Sequence, residues 1–143
     1  MINLLPGIQS SSSALDAERI RMEVVSQNIA NANVSNYENG KPYQRQIVHF
    51  ESALAAQGSG AAGEAAPETV QVAKIEKDAS PPRMVYDPSN PAHNAQGWVA
   101  MPNINVHEEM VDLIAASRAF EANLAVVKSA RTMAMQSLAI ARH

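Results

Sequence analysis

Cysteine is absent from the 143-residue chain, which excludes disulfides, thiol nucleophiles and zinc–thiolate sites together. Aromatic residues are scarce at 4%, and much of the 46% hydrophobic share is alanine, so a large aromatic-rich core that stands alone is not expected. Charge is thin as well. With 11 Lys and Arg against 14 Asp and Glu the net charge is −3, and the scattered basic residues leave no positive stripe for a phosphate backbone. No nucleic-acid partner is expected. No run approaches the roughly 18–20 apolar residues of a membrane helix, so membrane insertion is not expected either. The first basic residue is Arg19, so the amino terminus lacks the charged start of a cleavable secretory signal. Export of such a chain would need another route.

Glycine and proline are missing from Gln9 to Ala32 and again from Val106 to the end, and both stretches read as helices. In the first, the hydroxyls of Ser10 to Ser13 can cap free backbone N–H groups, which predicts a helix start among them. Leu15, Met22 and Ile29 recur every seven residues, with Val25 and Ala32 at the intermediate offset, so they share one face. Arg19, Arg21 and Glu23 fall off that stripe. Asn31, Asn33 and Asn36 tolerate the left-handed backbone of a helix end and predict termination there.

The second stretch predicts a helix of about 35 residues. Offsets of three and four from Val106 trace a stripe through Met110, Leu113, Ser117, Phe120, Leu124, Val127, Arg131, Ala134, Leu138 and Ala141, the pattern of coiled-coil packing. Val111, Ile114, Ala122, Val126, Met133 and Ile140 lie off it. A helix apolar on several sides requires several neighbours. The terminal helices are therefore expected to pair as an antiparallel, coiled-coil-like hairpin and to bury their remaining faces against other subunits. Arg131 has two readings: its stem lies along the seam edge with the guanidinium in water, or it forms an inter-subunit ion pair that fixes register.

Between the helices, Tyr43 to Phe50 is rich in strand formers, and Thr69 to Lys77 alternates with period two until the phase slips at Ile75, which predicts a bulged strand. Residues 55–68 hold three glycines, a proline and no large apolar group, and read as a loop tip. Pro81-Pro82 breaks the chain, Arg83 to Tyr86 is a further short strand, and Asp87 to Pro91 is a turn. The expected fold is mainly α with a small β-rich insert. Residues 1–36 form an amino-terminal helix segment, 37–104 the insert, and 105–143 a carboxy-terminal helix packed on the first.

The sequence carries no catalytic pattern. His49, His93, His107 and His143 lie far apart, and His107, Glu108 and Glu109 are consecutive on a helix, about 100° apart, so they read as a solvated face rather than converging ligands. Gly58, Gly60 and Gly63 lack the Lys-Ser/Thr of a phosphate loop. Ser10 to Ser13 carry no nucleophile-elbow pattern. No catalytic, cofactor-binding or metal-ligating residue is expected, and the chain does not read as an enzyme.

Ser13-x-Leu15-x-Ala17 with Met22, Asn28-Ile29-Ala30-Asn31-Ala32-Asn33 and Pro42-Tyr43-Gln44-Arg45 resemble the amino-terminal signature of the axial proteins of the bacterial flagellum. Met84 to Pro88, Gly97 to Val106 and Glu108 to Asn123 are similar to the proximal-rod members of that family. Val34 departs, standing where the family carries threonine, and the 55–68 tract matches nothing diagnostic. The resemblance implies a structural subunit without cofactor. It implies passage through the flagellar type III export apparatus without signal cleavage. Assembly in the periplasm would follow, with copies of itself and other rod proteins, into the torque-transmitting drive shaft. The candidate packing and assembly residues are then Leu15, Met22, Val25, Asn28, Ile29 and Asn31 on the first helix. On the second they are Met110, Leu113, Phe120, Leu124, Val127, Arg131 and Leu138. For Asn28 and Asn31 two readings stay open: locally satisfied amides at a helix end, or amides that bond across helices and fix subunit register.

Overall fold

The computed structural model describes residues 5–36, 40–54 and 68–140. In chain order these form α1 (Leu5–Ala30), β1 (Gln46–Leu54), β2 (Glu68–Lys77), β3 (Arg83–Tyr86), β4 (Trp98–Met101) and α2 (Val106–Ile140). Two helices thus flank a small antiparallel β-rich middle.

α1 is helical from Leu5, ahead of the serines expected to cap it. Pro6 is accommodated because the N–H it lacks would have no partner in a first turn. The serines are therefore interior, and the Ser13 hydroxyl turns back to donate to the Ser10 carbonyl at 2.8 Å. At the other end the helix stops at Ala30, next to the asparagines as expected: the Asn31 and Ala32 N–H groups bond Gln27 and Ile29 carbonyls, and Val34 N–H closes onto Asn31.

α2 is 35 residues long and begins at a built cap. The Asn105 carboxamide accepts from the His107 N–H at 3.1 Å and donates to Glu108 at 2.8 Å. Glu108 and Glu109 add negative charge to a first turn that favours it.

α1 and α2 are in contact. Buried positions on α1 are Ala17, Val24, Val25 and Asn28, with Ala32 just beyond its end. On α2 the buried or half-buried positions include Glu109, Leu113, Ala116, Phe120, Asn123, Val127, Ala130 and Ala134, at alternating offsets of four and three. This corrects the expected stripe in part. Leu113, Phe120, Val127 and Ala134 belong to it and Ser117 and Leu124 are half-buried beside it, whereas Met110, Arg131 and Leu138 are exposed. Small or hydrogen-bonding side chains, Glu109, Ala116, Asn123 and Ala130, alternate there with Leu113, Phe120 and Val127, and the alanines permit close helix approach. Arg21, expected off the stripe of α1, is half-buried, with its guanidinium 3.7 Å from Asp112 of α2.

β1 and β2 form an antiparallel pair, Gln46 opposite Lys77 through Leu54 opposite Glu68. The register shifts between His49 and Phe50, leaving Ala73 of β2 without a partner, so the bulge expected from the phase slip lies two residues before Ile75. α1 packs against both strands, and the Ser13 hydroxyl accepts from the Val70 N–H at 3.2 Å. Glu68 opens β2, and the rest of the expected 55–68 loop tip lies outside the described residues.

β3 pairs with β4, a strand the sequence pattern did not reveal. Gly97 closes this second hairpin at φ 81°, with the Tyr86 ring 2.9 Å from where a Cβ would stand. Among the described elements, β3 and β4 pack only on each other.

Candidate functional site

Charged and hydrogen-bonding side chains converge where the end of α1, the lead into β1 and the first turns of α2 meet. Asn28 is 1% exposed, and all its hydrogen-bonding capacity is used. Its Nδ2 donates to Glu109 Oε2 at 3.0 Å and to the Gln46 carbonyl at 2.9 Å. Its Oδ1 accepts from the Gln46 N–H at 2.9 Å and from the Tyr43 hydroxyl at 3.1 Å. Holding both backbone groups of Gln46, the carboxamide acts as a one-residue neighbouring strand for β1.

Glu109, also 1% exposed, receives Arg45 Nε on its other oxygen at 2.6 Å. The arginine reaches there because the Asp78 N–H bonds the Arg45 carbonyl at 2.7 Å and the Tyr43 N–H bonds the Val34 carbonyl, which pins this segment at both ends. Asp112, one turn along α2, lies 3.9 Å from the Arg45 guanidinium and 3.7 Å from that of Arg21. A buried carboxylate is tolerable under these conditions, since both its oxygens carry donors and one donor is cationic. A cavity of about 270 Å³ opens beside the junction, bounded by Val24, Val25, Ile47 and Phe50 as well as the polar groups. Asp78, whose N–H holds the Arg45 carbonyl, lines a separate cavity, and there the Ser80 hydroxyl and N–H hold its carboxyl below the usual range.

Glu109 was expected on a solvated face, and its burial corrects that reading. The charge is written in the sequence, but its partner Arg45 lies 64 residues away and no local spacing links them. Arg45 and Tyr43 were likewise not singled out as site residues. The usable signal was the choice of step back from Leu113: four residues land on Glu109, whereas three land on Met110.

The structure separates the two asparagines: Asn28 bonds across elements, while the Asn31 amide donates to the Gln27 carbonyl of its own helix at 2.8 Å. Val25 is buried, and Leu15, Met22 and Ile29 are half-buried beside the inner positions of α1. On α2, Leu113, Phe120, Leu124 and Val127 are half-buried. Met110 is 51% exposed, Leu138 67%, and Arg131 is also exposed, so these three stand apart from the contact with α1. Among the described residues no group of three His, Cys, Asp or Glu is placed to hold a metal, and no helix is long and apolar enough to cross a membrane.

Residues 8–37 match the family described as flagella basal body rod protein, and residues 95–140 match the flagellar basal body rod FlgEFG protein C-terminal family. Asn28 falls in the first match and Glu109 in the second. The chain is 40% identical to the flagellar basal-body rod protein FlgC of Borreliella burgdorferi, over 97% of this chain and 98% of that one. It is 41% identical to the FlgC of Bacillus subtilis, over 92% and 94% of the two chains, and 35% identical to that of Escherichia coli O157:H7, over 91% and 92%.

Proposed function

The chain belongs to the FlgC family of flagellar basal-body rod proteins and is a structural subunit of the basal body rather than an enzyme, and from that premise we propose how its geometry serves the rod. α1 and α2 pair as an antiparallel, coiled-coil-like hairpin: Asn28 meets Glu109, and Arg21, earlier on α1, meets Asp112, later on α2. Residues 1–36 and 105–143 act as the axial segments, and residues 37–104 as the insert between them. The subunit leaves through the flagellar type III apparatus without signal cleavage. In the periplasm it joins copies of itself and other rod proteins in the torque-transmitting proximal rod.

One observation carries this reading. On α2 the buried side chains are Glu109, Ala116 and Ala130, while Met110, Val111, Ile114, Val126, Met133, Met135, Leu138 and Ile140 are each at least half exposed. That much apolar surface on one helix is costly in water and is relieved by neighbouring subunits. Of the candidate residues, Leu113, Phe120 and Val127 serve contacts within the chain, and Met110, Arg131 and Leu138 face neighbours.

Leu138→Asp tests the proposal. Mass spectrometry of detergent-purified basal bodies should find the wild-type chain at several copies each. The variant should be secreted but missing from them. Incorporation of the variant at the wild-type level would contradict the assignment of this face.

A further inference from the structure

We infer that the cluster of Asn28, Glu109 and Arg45 is a register key, which selects one alignment of α2 along α1 and docks β1 in the same event. The inference rests on the antiparallel pairing proposed above and adds what sets its alignment.

The inner positions of the two helices discriminate poorly between alignments. From the level of Asn28 and Glu109, equal steps along antiparallel helices set Ala17 beside Phe120 and Ala14 beside Asn123. Sliding α2 by one heptad, about 10 Å, brings Ala116 to Asn28 and Ala130 to Ala14. The same slide sets Val127 beside Ala17 in place of Phe120, and Phe120 beside Val24 in place of Leu113, so away from the polar cluster the seam exchanges apolar side chains for one another and leaves none of its polar groups unpaired. The polar cluster responds differently. After the slide the Glu109 carboxylate leaves both of its partners, one Asn28 amide hydrogen loses its acceptor against an alanine methyl, and Arg45 loses its 2.6 Å contact. A buried polar group left without a partner is penalised far more than a repacked methyl.

Two further observations favour a key over a source of bulk stability. A buried ion pair gains little net free energy over apolar groups of the same shape, whereas one polar contact in a seam suffices to fix helix alignment. In addition, Asn28 holds the backbone of Gln46 with the same carboxamide that holds Glu109, so correct alignment of α2 and correct seating of β1 share one side chain.

The chain has no cysteine, so disulfide mapping of the full-length protein is direct. Ala14→Cys with Asn123→Cys reports the native alignment, and Ala14→Cys with Ala130→Cys reports the slid one. Each pair is oxidised in dilute solution in three backgrounds: otherwise unaltered, Glu109→Leu with Arg45→Leu, and the conservative Glu109→Gln. The apolar background leaves Asn28 and its bonds to β1 in place. There the ratio of 14–130 to 14–123 disulfide is expected to rise about tenfold or more, while Glu109→Gln, which keeps hydrogen-bonding groups at the site, holds the native ratio. Should the apolar background lose its helical circular dichroism, Glu109→Ala is read in its place, with the same rise expected. A native 14–123 disulfide that persists alone in every folded background would overturn the key and leave the pairing standing. Failure of 14–123 to form in the otherwise unaltered chain would overturn the pairing itself, and the key with it.

Discussion

The two ends of α2 obey different rules. Over its first two turns the helix is capped by Asn105, and it engages Asn28, Arg45 and Arg21 through Glu109 and Asp112. Over its last ten described residues every position but Ala134 is exposed, and the side-chain hydrogen bonds there stay within the helix, from Thr132 to the Lys128 carbonyl and from Ser137 to the Met133 carbonyl. Helix propensity alone does not explain the contrast, since both ends are built from good helix formers. The first end is specified by contacts the chain supplies to itself. The second presents Met133, Met135, Leu138 and Ile140 to whatever lies outside it. A chain of this kind settles its own geometry at one end and is completed by assembly at the other.

The comparison can be broken most forcefully at the first end. Glu109→Leu leaves the half-buried Arg45 with Asp112 and the buried Asn28 amide without its acceptor, and is expected to cost about 3 kcal/mol, measured by urea unfolding of the isolated chain. Asn28→Leu should cost about 2–3 kcal/mol, because Gln46, Tyr43 and Glu109 all lose a partner, and should abolish swarming. Intact motility in that variant would refute a role for the junction. Phe120→Asp sits midway, at a half-buried position, with an expected cost of about 2 kcal/mol. Secretion should continue while rod growth stops, and normal filaments in that strain would speak against the packing of α2. Asn31→Leu and Leu138→Asp should each change monomer stability by no more than about 0.5 kcal/mol. The second should still block assembly.

The smallest effect concerns pH. Asp78 is held below its ordinary value by Ser80, so the stabilisation from that turn is present above the ordinary carboxylate range and is lost as pH falls through the lower folded value. The difference in urea midpoint between the wild type and Ser80→Ala should therefore shrink from about pH 5 to about pH 3.

Element identity was largely legible in the sequence because it depends on local features. The absence of glycine and proline marks α2 to within a residue of its start, and the phase slip before Ile75 records the bulge at Ala73. β4 escaped notice because Trp98 to Met101 is short and follows directly on the Gly97 turn, leaving too little alternation to see. The inner stripe of α2 was misplaced in part, for a physical reason. Apolar periodicity at offsets of three and four leads to Met110, Ser117 and Arg131, but the buried positions one residue earlier are Glu109, Ala116 and Ala130, where the alanines permit close helix approach. The junction was hidden further still. Charged residues are assigned to solvent by default, and the burial of Glu109 depends on Arg45 and Asn28, which only the tertiary fold brings to it.

Residue-resolved amide hydrogen exchange on the isolated full-length chain tests the contrast most directly. Strong protection should run through the capped start of α2 and the last turns of α1, where the Asn28–Glu109 junction lies, and should fall steadily beyond Ala130 toward Ile140. Uniformly strong protection along both helices of the isolated chain would contradict the account, because α2 would then be complete without any neighbour.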